Sequence, residues 1–106
     1  MPFKTAQVDR EKIVDYLLGS SSVAATAKAR FFGGMGFTAD RWLQFADALR
    51  NQARAGAVEV EATGWGVKHI ATGLIDAPNG RRYKIVSGWI DEGAGLRLVT
   101  AYPAKE

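Results

Sequence analysis

The 106-residue chain, 47% hydrophobic, can build one core, and a second domain does not fit its length. No cysteine and a single histidine exclude disulfide and thiolate chemistry and leave no ordinary zinc ligand set, so neither metal nor cofactor is expected. The formal charge of +3 favours anionic partners only mildly, and no run approaches the roughly 18 apolar residues of a membrane span.

The opening MPFKTAQVDREK lacks the continuous apolar stretch of a signal peptide, so the chain reads as cytoplasmic or as a domain cut from something longer. A first helix is predicted from Asp9, a short carboxylate suited to the orphan amides of a first turn. Val8 and Ile13 fit a hydrophobic staple, and Ile13, Tyr16 and Leu17 form an apolar stripe that Gly19 and the serines at 20–22 end. A second helix is predicted over 23–32, anchored by Phe31 and Phe32 and stopped by a left-handed Gly33-Gly34 pair. Thr38 reads as the N-cap of the longest helix, in which Trp42, Phe45, Ala46, Leu49 and Ala53 keep helical spacing until Gly56.

At Ala57 the hydrophobic period falls from about 3.6 to 2, the change from helix to strand. Val58, Glu59, Val60 and Glu61 alternate, with the glutamates reading as the wet face of an edge strand. Gly64 and Gly66 turn the chain around Trp65 into a strand over 67–75, and Asn79-Gly80 marks a tight hairpin. A third strand over 82–91, a turn at 92–95 and a last strand over 96–102 complete the pattern, and Pro103 prevents much continuation. The expectation is an α+β fold spanning 1–106 as one domain. Three N-terminal helices, within about 9–56, pack on one face of a four-stranded antiparallel meander over about 57–103.

Alternation offers Lys68, Ile70, Thr72, Tyr83, Ile85, Ser87, Trp89, Leu98, Thr100 and Tyr102 as the free face. His69, Ala71, Lys84, Val86, Gly88, Ile90, Arg97, Val99 and Ala101 become the covered one. Register is open at this point, and a bulge would redirect side chains. His69 is the natural proton-transfer group near neutrality, although a lone histidine is as readily structural. Lys68 could hold a phosphate, and Arg97, Thr100 and Tyr102 on one strand could grip its oxygens, although the same residues suit an ordinary strand. Trp65 and Trp89 could stack on bases or simply pack, and Arg81, Arg82 and Lys84 form the one concentrated basic cluster.

Taken in order, KIVDYLLGSSSVAATAKARFFGGMGF, Val58-Glu59-Val60-Glu61, DAPNGR, Trp89-Ile90 and RLVTAYP resemble a bacterial domain family of unknown function. That family occurs alone and at the C-terminal ends of large secreted toxin-like or adhesin-like proteins. The likeness is strongest around Lys28-Ala29 with Phe32 and in the last strand. The chain departs from it at Ser22, Val23 and Ala25, where a His-Pro pair and a glycine are usual, and at His69, where an aromatic residue is. The order of elements, ending in Thr-x-Tyr, also looks like the barnase, EndoU, colicin and RelE-like ribonucleases. This second resemblance implies metal-independent RNA cleavage through a 2′,3′-cyclic phosphate. Lys68, His69, Arg97, Thr100 and Tyr102 would be the catalytic positions, and Lys28, Arg81, Arg82, Lys84 and Trp89 would hold substrate. It implies RNA and an acidic immunity or antitoxin protein as partners. Without cleavage, the same face would serve as an RNA- or protein-binding module.

Overall fold

The computed structural model describes residues 2–19, 23–91, 93 and 95–104, so the serines at 20–22 and part of the turn at 92–95 lie outside the described residues. A 3-10 turn (Pro2–Thr5), a π-helix (Lys12–Leu17), α1 (Val23–Gly34), a 3-10 turn (Ala39–Arg41) and α2 (Trp42–Ala55) precede the sheet. The strands β1 (Ala57–Thr63), β2 (Gly66–Asp76), β3 (Arg82–Asp91) and β4 (Leu96–Pro103) pair antiparallel in the order β1-β2-β3-β4. The expected α+β meander is present. Among the described residues no helix is long and apolar enough to cross a membrane.

Local chemistry explains where the elements differ from expectation. Asp9 caps through its carbonyl, which accepts from the amides of Lys12 and Ile13, while its carboxylate accepts from Gln7. The first helix is then a π-helix, closed by Leu18 N–H donating to the Ile13 carbonyl at 2.8 Å. Helix α1 runs through Gly33 and Gly34, and the positive φ falls instead on Gly36 at 101°. There Phe37 N–H donates to the Phe32 carbonyl and Gly36 N–H to that of Gly33, a Schellman ending. The β2–β3 hairpin turns through Pro78, Asn79 and Gly80, and only Gly80 takes positive φ, so the turn is a three-residue loop rather than the tight primed turn read from Asn-Gly.

Before the first helix the N-terminal segment is already structural. Phe3, Ala6 and Val8 are buried, and Gln7 pairs with the outer edge of β4, donating to the Leu96 carbonyl and accepting from Leu98 N–H.

Helix α2 covers one face of the sheet with Phe45, Ala46, Leu49, Gln52 and Ala53, which sit on a helical stripe against Ala71, Ile75, Ile85, Trp89 and Leu98. Gln52 is the polar member. Its amide donates to the carbonyls of Ala71 (3.1 Å) and Ile85 (3.2 Å), and its Oε1 accepts from Ser87 Oγ at 2.6 Å. Ser87 Oγ in turn accepts from Trp89 Nε1 at 2.8 Å. Every donor and acceptor in this buried chain is used, which is the condition under which a polar network can sit in a core. Gly73 permits the approach, because a Cβ there would lie 2.9 Å from Gly56 Cα at the end of α2.

This arrangement corrects the expected faces. Register pairs Ile70 with Gly88 and Thr72 with Val86, so on β3 the odd positions Ile85, Ser87 and Trp89 turn to the helices. The even positions Lys84, Val86, Gly88 and Ile90 form the open face. On β4 a bulge opposite Gly88 and Trp89 pairs Trp89 with Leu98 but Gly88 with Thr100. Leu98 is therefore buried while Thr100 and Tyr102 stay on the open face.

Replacing Gln52 by Leu leaves the Ser87 hydroxyl and two strand carbonyls without this partner. It should lower unfolding free energy by about 1–3 kcal/mol in denaturant titration, whereas an unchanged midpoint would show that the chain contributes nothing.

Candidate functional site

The open face is organised in cross-strand rows. Glu61, Lys68, Ile90 and Arg97 form one, Glu59, Ile70, Gly88 and Thr100 the next, and Ala57, Thr72, Val86 and Tyr102 the third. Lys68, Arg97, Thr100 and Tyr102 thus share one face; alternation assigns Arg97 to the covered side, and the bulge in β4 turns it to the open one. Lys68 and Arg97 are separated by β3, which puts their backbones about 10 Å apart and leaves two long side chains to span the gap. Gly88 keeps the floor beneath Thr100 low, since a Cβ there would meet Thr100 Cγ2 at 3.3 Å.

Other expected members lie elsewhere. His69 is on the helix-covered side, opposite Trp89 and edge-on to Phe3 at 6.3 Å between ring centres, so it does not join Lys68. Its Nδ1 is buried without a hydrogen-bond partner. Trp89 is 0% exposed and bonded to Ser87, which removes it as a stacking surface for bases. Alternation sets His69 on the covered side, where it lies, but sets Trp89 on the free one, because it cannot see the register. Trp65 is 87% exposed at the β1–β2 turn, away from β4. Arg82 is paired with Asp76 at 2.7 Å. Lys84 lies on the open face about 13 Å along β3 from Gly88, and Arg81 sits near the hairpin tip beyond it. The hairpin cluster is therefore separate from the Thr100 region.

What meets Thr100 comes from the helical half. Tyr16 packs its ring against the core, and its hydroxyl lies 3.4 Å from Thr100 Oγ1. Lys28 Nζ of α1 is 5.2 Å from the centre of the Tyr16 ring, and Lys12 Nζ of the π-helix is 5.0 Å from it. Lys28 was an expected substrate-binding residue; Tyr16 and Lys12 were not, because periodicity marks Tyr16 only as part of a core stripe. Thr100 is the largest influence holding the Tyr16 phenol below its usual pKa. Partial burial opposes that, and the Lys28 and Lys12 ammonium groups add to it. Two hydroxyls 3.4 Å apart, beside two cations, can donate together to one oxyanion.

A groove between α2 and β2 is lined by Gln44, Asp47, Asn51, Arg54, Leu74 and Arg82. Of the expected site residues it holds only Arg82, whose charge Asp76 already answers, so the chemistry points to the β4 region instead. Among the described residues no three His, Cys, Asp or Glu side chains gather where they could share a metal ion.

The fold and this cluster define a small α+β domain whose polar site lies where a helical lobe meets the edge of an antiparallel sheet. The chain belongs to a family described as a domain of unknown function, DUF6883, whose model matches residues 2–105. Its structure is similar to a chain of a contact-dependent growth inhibition toxin–immunity protein complex from Klebsiella pneumoniae 342. That likeness has a TM-score of 0.72, covers 99% of this chain and 98% of that one, and comes with 17% sequence identity, a similarity of fold. No curated protein matches the sequence.

The Tyr16 environment is open to direct measurement. Phenolate absorbance, read as the difference between the protein and its Tyr16→Phe variant, should rise at lower pH than an ordinary tyrosine requires. Thr100→Val and Lys28→Met should each move that rise to higher pH; a midpoint indifferent to both would show that the cluster is not formed.

Proposed function

We propose that the chain is a toxin-like endoribonuclease that cleaves RNA without a metal, through attack of a ribose 2′-hydroxyl on the adjacent phosphate to leave a 2′,3′-cyclic end. The observation that carries this reading is the meeting of Thr100 with Tyr16 and Lys28 on the face that also holds Arg97, Tyr102 and Lys68. Such a reaction needs donors and cations around a pentacovalent phosphate, together with proton transfer. Arg97 and Lys68 act as the phosphate clamp, Lys28 adds a third cation and Thr100 orients an oxygen. Tyr102, exposed on the same face, faces the 2′-hydroxyl side. His69 and Trp89 take no part.

The structural neighbour belongs to a toxin–immunity complex, which supports a role on one side of such a pair. The formal charge of +3 favours the toxin side, because the complement to an RNA-cleaving surface is an acidic protein that occludes it.

A binding module without catalysis is the competing reading, and the half-buried Ile70 at the centre of the open face, with Lys84 and Arg82 beyond it, favours that alternative. It predicts salt-sensitive RNA binding, with losses spread over Arg81, Arg82 and Lys84 and no cut strands.

Purified protein incubated with total RNA and tRNA in the presence of a chelator should give fragments ending in cyclic phosphate. Arg97→Ala and Lys28→Ala should each slow the reaction about 10²–10³-fold. RNA left intact by the wild-type protein would end the nuclease reading.

A further inference from the structure

The ribonuclease reading leaves one proton without a source. When the bond between phosphorus and the 5′-oxygen breaks, the departing alkoxide must be protonated; Arg97 and Thr100 hold their protons too tightly for that, and Lys68 stands on β2, with β3 between it and Thr100. A proton donor there must carry its proton before the reaction and should have its conjugate base stabilised afterwards.

Tyr16 has those surroundings. Its ring is fixed against the core by the π-helix, which leaves the hydroxyl as its polar end beside Thr100 Oγ1 at 3.4 Å. The Thr100 hydroxyl can turn to donate to a phenolate, and the Lys12 and Lys28 ammonium groups stand 5.0 and 5.2 Å from the ring centre. The charged groups that act on the phenol from its own helix and from α1 are both cations, and both favour loss of its proton. Thr100 lies on the sheet face that would hold the phosphate, so the donor and the orienting group sit side by side at the β4 edge.

Building on the ribonuclease reading, we propose that Tyr16 is the general acid of this site and delivers its phenolic proton to the departing 5′-oxygen. The bond from the 2′-oxygen to phosphorus forms as the bond from phosphorus to the 5′-oxygen breaks. The 2′ proton passes to water on the Tyr102 side, the 5′-oxygen takes the Tyr16 proton, and the phenolate regains a proton from solvent. The unexpected residue of the site thereby takes the leaving-group side, while Tyr102, two residues along β4 from Thr100, serves the 2′ side and His69 lies beneath the sheet.

The test uses one RNA in two forms, the native strand and the same strand with sulfur replacing the bridging 5′-oxygen at the cleaved bond. A thiolate leaves without needing a proton. Tyr16→Phe should slow cleavage of the native strand about 10²-fold or more, the usual share of a general acid, while staying within a few-fold of wild type on the sulfur-bridged strand. Retained cleavage of the second strand also shows that the variant is folded. Equal loss on both strands, or loss on neither, overturns the assignment while leaving the nuclease reading intact. A wild-type protein that cuts neither strand removes both.

Discussion

The hydrogen-bonded chain from Trp89 through Ser87 to Gln52 decides which side of the sheet is available for chemistry. Because strand side chains alternate, turning Ser87 and Trp89 toward α2 sends Val86, Gly88 and Ile90 the other way, and their partners on β2 and β4 follow. A slip of one residue would expose Trp89 and bury Lys68. The amide of Gln52 adds to this by gripping carbonyls on two adjacent strands, so helix and sheet are fixed in position as well as in face. Burying so many polar atoms is tolerable because each has its partner.

The second constraint is the bulge in β4. Without it, Leu98 and Thr100 would point to the same side, since they are two residues apart. With it, Leu98 fills the core and Thr100 faces out to meet Tyr16. Gln7 pairs with β4 on its outer edge, close to this irregularity, and the π-helix that follows brings Tyr16 and Lys12 to the same edge. Two irregular backbone features, a bulge and a π-helix, therefore bring together groups that regular elements would hold apart, a common circumstance at functional sites.

Much of the architecture was readable from the residues. The change of period at Ala57, the stripe of α2 and the Asn-Gly hairpin place the main elements close to their observed bounds, because each rests on local spacing or turn chemistry. What depended on long-range geometry was not readable. The faces of β3 were inverted because its register rests on a three-residue loop, which no alternation pattern encodes. Gln52 carries no signal in the sequence pattern, since nothing local announces three buried partners on other elements. Alternation set Lys68, Thr100 and Tyr102 on the open face and His69 on the covered one, but it misplaced Arg97 and Trp89, and Tyr16 was hidden inside a stripe read as core.

Gln7 also bears on how the sheet ends. Its pairing occupies part of the outer backbone of β4, so the long free margin is β1, where Val58, Val60, Glu59 and Glu61 are all exposed. Two copies meeting there as antiparallel neighbours would set glutamates of one chain beside glutamates of the other, an arrangement that repels itself. Growth of the sheet into a fibre is thus opposed by carboxylates at one border and obstructed by a backbone partner at the other.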